Sequence, residues 1–205
     1  MKTLLTILLM LAVAGAAQAQ SGVYFSEYLE GSSNNKAMEI YNGTSEVLDM
    51  SRVVVERYNN GSVTISGGPY TYTAMLAPGD VYVIGNPSAD AAILAVSDET
   101  SDLTFYNGDD VLLLLLDGVL VDSIGQLGFD PGTNWTVGGC ATSEMTLVRK
   151  ASSCSGDTDA SDVYDPSVDW DCYAQNDFSF LGFHNTGCSV PTDDTTWGSV
   201  KSLFR

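Results

Sequence analysis

The sequence predicts an all-β antiparallel sandwich, and three observations predict it. Short runs rich in Val, Ile, Leu, Tyr and Thr recur through the chain. Gly, Asn, Asp and Pro punctuate them about every 8–12 residues, the spacing of sandwich strands. No helical stretch long enough to serve as a crossover lies between them, which excludes a parallel α/β sheet.

The series begins with the apolar run at residues 23–29. A polar loop at 31–36 leads into residues 37–41, and Asn42-Gly43 turns the chain. Residues 52–58 form the next strand, closed by Asn59-Asn60-Gly61. Residues 63–65 and 70–73 are shorter and fit edge strands, and the turn at 76–80 leads into a strand at 81–84. Residues 89–96 are alanine-rich and follow Pro87-Ser88, which predicts one helical turn capped by Ser88. Strand character resumes at 103–105, and Asn107-Gly108-Asp109-Asp110 is a turn. Val111 is followed by five leucines. That run alone would also fit a buried helix, but Asp117-Gly118 and the apolar residues 119–124 make it the first arm of a two-residue hairpin, covered on both faces. Residues 145–149 add a further strand between cysteines.

The ends read differently. Lys2, the apolar run 4–13 and Ala17-Gln18-Ala19 ahead of Gln20 have the order of a secretory leader, residues 1–19. The run is shorter than the ~20 residues a membrane span needs, and no cysteine follows the cleavage position to carry a lipid. Residues 20–188 are expected to form one domain, large enough for a sizeable core. Residues 189–205 are a linker (191–196) and a short tail, in which Trp197, Val200, Leu203 and Phe204 fall at near-helical spacing with Lys201 and Arg205 between them. The expected location is outside the cytoplasm: secreted, periplasmic or on the cell surface.

The formal net charge is -18, which opposes direct binding to phosphate backbones and anionic membranes. Cys140, Cys154, Cys172 and Cys188 all lie in the last third of the 205-residue sequence. Oxidising surroundings would turn them into two disulfides, with three pairings open. Loop length favours Cys140–Cys154 with Cys172–Cys188. No Cys pair has zinc spacing, and His184 is the lone imidazole, so a zinc site is not supported.

Several segments together resemble the lamin tail domain family in its bacterial secreted branch: residues 25–43, 76–84, 107–110, 121–126, 130–132, 146–150, 156–157, 165–170 and 181–184. The resemblance implies an immunoglobulin-like β-sandwich. Its usual Leu-Gly-Ser-His ending reads Leu181-Gly182-Phe183-His184 here, and residues 189–205 lie outside it. Many bacterial members precede a secreted nuclease domain, for which this chain leaves no room. The resemblance carries no catalytic residue onto any position.

Candidate sites follow from residue type. Glu27, Glu30, Asn34, Asn35, Lys36 and Glu39 surround the first loop; Glu27 and Glu39 are expected to be cross-strand neighbours offset by Lys36. Asp157, Asp159, Asp162 and Asp165, with Asp169 and Asp171, form the best metal candidate, because calcium takes several carboxylate oxygens from a loop. The EF-hand pattern fails there, with Asp162 where Gly is required and Val168 where Glu is required. Asn107, Asp109 and Asp110 form a smaller acidic cluster. A serine triad would have to use His184, and no nucleophile elbow occurs; glycoside hydrolysis through paired acids, or a surface strip of aromatic side chains for glycans, has no diagnostic spacing. No catalytic residue and no cofactor other than calcium is predicted. The expected function is a secreted non-catalytic module contacting an extracellular protein, a glycan or a cell-surface component through loops 30–36, 107–110 and 157–171. The alternatives are an accessory or enzymatic part in extracellular nucleic-acid degradation, which rests on the nuclease-linked relatives alone, and a calcium-stabilised adhesion module.

Overall fold

Side chains alternate across each strand, so the placement of apolar residues decides which sheet faces meet. A computed structural model of the chain describes residues 22–188. The segment read as a leader, residues 1–19, and the tail with Trp197 and Phe204 lie outside the described residues. The strands are β1 (Val23–Glu30), β2 (Lys36–Asn42), β3 (Leu48–Asp49), β4 (Val53–Tyr58), β5 (Gly67–Thr71), β6 (Met75–Leu76), β7 (Val81–Gly85), β8 (Glu99–Thr100), β9 (Val111–Leu116), β10 (Val119–Ile124), β11 (Thr136–Val137), β12 (Cys140–Ala141), β13 (Met145–Arg149) and β14 (Trp170–Tyr173). Two short helices, α1 (Ala91–Leu94) and α2 (Pro166–Asp169), interrupt them.

A six-stranded sheet runs β14-β13-β1-β2-β7-β8, and a four-stranded sheet runs β10-β9-β4-β5. Pairing is antiparallel except for the two-residue match of β7 with β8. Phe25, Met38, Ile40, Ile84 and Leu147 of the larger sheet share one buried cluster with Val53, Val55, Leu112, Leu114 and Val121 of the smaller. That is the β-sandwich the strand pattern predicts. The predicted hairpin is present: Leu116 faces Val119, and Asp117 and Gly118 both take positive φ, 52° and 77°, as a tight two-residue turn between twisted strands requires.

The larger sheet is buried on its second face as well. Leu29, Ala37 and Val83 form a separate cluster with Ile93 of α1 and with Leu181 and Phe178 from the segment after β14. Consequently β1 is buried along its whole length.

Three local expectations are corrected. The helical turn starts later than residue 89 and is capped by Asp90, whose carboxylate accepts the Ala92 N–H at 2.9 Å; Ser88 is instead tied back to Asn86. Residues 102–104 form a 3-10 turn capped by Ser101 rather than a strand, which drives Leu103 into the core. Residues 63–65 form no strand, because the Ser62 hydroxyl accepts the Thr64 N–H and curls the loop.

The disulfides are Cys140–Cys172 and Cys154–Cys188, with Cα separations of 5.4 and 5.6 Å. Loop length chooses wrongly because β13 lies between the first two cysteines and carries the chain about 17 Å away. The antiparallel return in β14 sets Cys172 opposite Leu147 and brings it back to Cys140. Replacing Cys154 and Cys188 together by serine is expected to cost about 3 kcal/mol and lower Tm by about 6–12 °C. Thermal unfolding checks this, and an unchanged Tm would deny the bridge a stabilising role.

Candidate functional site

Two strand irregularities create the most highly organised polar centre. The β1–β2 register jumps between Phe25 and Glu27, and the β9–β10 register jumps between Leu120 and Asp122. Bulges of this kind free backbone groups and re-aim side chains. The Phe25 N–H is taken by Asp122 Oδ2 at 2.8 Å, and the Phe25 carbonyl by Arg149 Nε at 2.6 Å. Arg149 Nη2 pairs directly with Asp122, and both side chains are almost fully buried. Asp122 Oδ1 accepts the N–H groups of Ser123 at 2.9 Å and Asp157 at 2.8 Å. Burial pushes the Asp122 carboxyl up, while Arg149 and the backbone donors pull it back toward ionisation. The Arg149 guanidinium is stacked between the rings of Trp170 (4.6 Å) and Tyr24 (5.1 Å).

Above this pair opens a polar cavity of about 270 Å³, lined by Asp122, Ser123, Arg149 and part of the segment between Ser155 and Trp170. The predicted metal ligands divide around it. Asp157, Asp162 and Asp165 line the cavity, and Asp159 does not. Asp157 accepts from the Ser123 hydroxyl at 3.1 Å and the Asp159 N–H at 2.9 Å; burial raises its pKa, and Asp162 adds to the effect. Asp159 is bent onto Ser161, and Asp165 caps α2 through Ser167. The Asp162 carboxylate accepts no hydrogen bond among the described residues. Nor does any group of three or more His, Cys, Asp or Glu side chains converge as a metal site among them. Asp169 accepts from Ser153, and Asp171 is exposed on β14.

The first loop is organised differently from the expectation. Lys36 pairs with Glu30 at 2.7 Å and donates to the Tyr106 carbonyl at 2.6 Å. It therefore offsets neither Glu27 nor Glu39. Those two face each other directly across β1 and β2, as expected, but both are 1% exposed rather than solvated. Glu39 accepts from the Ser26 hydroxyl at 2.6 Å and the Gly182 N–H at 2.8 Å. Both Glu27 oxygens lack a hydrogen-bond partner among the described residues. Burial raises the Glu27 pKa to about 9 and that of Glu39 to about 7. The Asn34 and Asn35 turn closes the loop between β1 and β2, with Asn35 Nδ2 donating to Asn176 Oδ1 at 3.2 Å.

In the 107–110 turn, Asp110 accepts the N–H groups of Asn60 (3.2 Å) and Asn107 (3.0 Å), and Asp109 accepts from the Asn107 side chain at 3.0 Å. The Asp110 contacts bind neighbouring loops together. His184 sits edge-on to Tyr24 and Tyr41, at 5.8 and 5.0 Å, with Nε2 buried and unpartnered among the described residues. Burial lowers its pKa to about 4, with Arg149 contributing. A neutral, packed ring of this kind has no carboxylate among the described residues to orient it as a general base.

Residue-type reasoning missed the Asp122–Arg149 pair. Its signal was present: each is a charge inside an apolar strand, where an unpaired charge would be costly.

No curated protein and no solved structure matches the chain. A Lamin Tail Domain family model matches residues 16–128, a span that takes in β1 through β10. It ends before β13, so Arg149 lies beyond it while Asp122 lies within it. Since that span exceeds half of the 205 residues and holds most of both sheets, the chain belongs to the lamin tail domain family.

Proposed function

We propose that this chain is a secreted, non-catalytic lamin-tail module that binds an extracellular protein, a glycan or a cell-envelope component. The observation that carries the reading is the cavity above Asp122 and Arg149. Its floor is fixed by buried charge-assisted hydrogen bonds, and its wall offers carboxylates beside Tyr164 and Trp170. A rigid polar floor with aromatic walls suits recognition, because little freedom is lost on binding. Val163 and Val168 stand exposed at the rim. The charge of -18 disfavours a nucleic-acid partner. Two disulfides support an oxidising location. The carboxylates Asp157, Asp165 and Asp169 are committed to hydroxyl and backbone donors, which supports binding over acid–base chemistry.

The test is retention of glycans and of purified cell-envelope fractions on immobilised full-length protein. The control carries Asp162→Lys and Val168→Lys, two changes that break no hydrogen bond of the fold. Retention by the wild type that weakens at least tenfold in the variant is expected, as charge reversal at a contact surface weakens binding. Equal retention by both proteins, or none at micromolar concentration, overturns the reading. Incubation with DNA plus calcium or magnesium is expected to leave the DNA intact. Cleavage abolished by a single substitution would make the protein an enzyme.

A further inference from the structure

The second face of the six-stranded sheet is covered by α1, through Ile93, and by one long segment, residues 174–188, with covalent anchors at both ends. Cys172, just before it, is bonded to Cys140, and Cys188, its last residue, to Cys154. Between them Phe178 and Leu181 pack on Leu29, Ala37 and Val83. The Gly182 N–H reaches Glu39, and His184 lies against Tyr24 and Tyr41. Directly beneath are Glu27 and Glu39, paired across the strands, one of them without a hydrogen bond among the described residues.

The charged groups acting on this pair are acidic. Asp177 of the covering segment acts on Glu27, and Asp98, which follows α1, acts on Glu39. The register partners on the flanking strands are apolar, Val148 on β13 for Glu27 and Val83 on β7 for Glu39. Lys36 on β2 is committed to Glu30. With no countercharge on them among the described residues, two adjacent carboxylates cannot both ionise in a dry site without strong repulsion. Covering the pair is therefore compatible with at least one bound proton and opposed by full ionisation.

We propose that residues 174–188 are a pH-sensitive strap: the protonated Glu27–Glu39 pair holds it shut, and ionisation of both carboxyls lifts it off the sheet as a loop tethered by the two disulfides. Lifting hydrates the carboxylates, breaks the Gly182 clasp and takes Phe178 and Leu181 off the apolar strip Leu29, Ala37 and Val83, leaving Ile93 of α1 on it. The raised pKa values put the shut form at neutral pH and release on the alkaline side.

His184 is the sole histidine of the chain, so its ring protons report on the strap without ambiguity. Its shifts in the shut form are displaced by the Tyr24 and Tyr41 ring currents. Above about pH 6 the imidazole is already neutral, so movement there cannot come from its own titration. The experiment is an NMR pH series from about 6 to 9.5 on the full chain without a histidine tag, with the Leu112 and Leu114 methyls as a core reference. The expected result is migration of the His184 signals to free-imidazole positions while the core methyls stay in place. Glu27→Gln and Glu39→Gln, made separately, are each expected to abolish that migration below pH 9.5. His184 signals that never move, that move together with the core methyls, or that move equally in whichever glutamine variant folds would each overturn the proposal.

Discussion

Replacing Arg149 by alanine is expected to destabilise the domain by about 3–5 kcal/mol, the cost of leaving a buried carboxylate without its cation. For a domain of this size that lowers Tm by roughly 6–20 °C. The effect is large because Arg149 does more than neutralise Asp122. It also satisfies the Phe25 carbonyl at the β1 bulge and reaches the Ser155 carbonyl at 3.2 Å, and it fills the space between Tyr24 and Trp170. Arg149→Lys keeps the charge but cannot supply three directions of hydrogen bonding, so an intermediate loss is expected. Asp122→Ala strands a buried guanidinium and leaves the Phe25, Ser123 and Asp157 N–H groups without their acceptor. The double substitution is expected to cost less than the sum of the two, with a coupling of about 1–3 kcal/mol. Urea unfolding of the wild type, the two alanine variants and the double variant measures this. Strict additivity, or a loss under about 1 kcal/mol in Arg149→Ala, would show that the pair is not what holds the bulges together.

The second large effect is a fall in stability as pH rises. A carboxyl with a raised folded-state pKa keeps its proton where the unfolded chain has lost its own, so the folded state binds more protons and stability declines with pH. For Glu27 that interval runs from its ordinary 4.5 to about 9, and for Glu39 from 4.5 to about 7. His184 acts in the opposite sense between about 4 and its ordinary 6.5, where the unfolded chain holds the extra proton. One glutamate and the histidine therefore offset each other below pH 6.5, and above it the slope belongs almost wholly to Glu27. At roughly 1.4 kcal/mol per pH unit for one proton, about 3–4 kcal/mol is lost between pH 6.5 and 9. The slope ends early if the strap lifts before the rest unfolds. Glu27→Gln is expected to flatten the curve above pH 7. Denaturant unfolding at pH 6.5, 8 and 9 is the measurement, and stability that holds level or rises in the wild type contradicts the assignment.

How much of this was legible in the sequence depends on the distance over which each feature is decided. The long strands and the Asp117-Gly118 turn are set by neighbours within a few residues, and they read correctly; the short segments 63–65 and 103–105 read as strands but fold as a loop and a 3-10 turn. The adjacency of Glu27 and Glu39 was also legible, because a short polar loop joins their strands. Their burial was not, since the cover arrives with Gly182, 143 residues after Glu39. The Asp122–Arg149 pair depends on two register jumps that no local pattern announces. The acidic stretch 157–171 read as a convergent ligand set because composition records charge and not direction. Asp159 and Asp165 turn back on their own loop and helix.

The sheet borders bear on how such a protein can meet a partner. One border of the larger sheet is the two-residue β8, and one border of the smaller is β5, which begins Gly67-Gly68-Pro69 and so lacks a donor in its middle. The opposite border of the smaller sheet, β10, is broken by its register jump. Short, proline-bearing and bulged margins resist the docking of a foreign strand. Along these three borders recognition is thereby directed to side chains and loop crests, which leaves the four-residue β14 as the one regular edge for backbone pairing among the described residues.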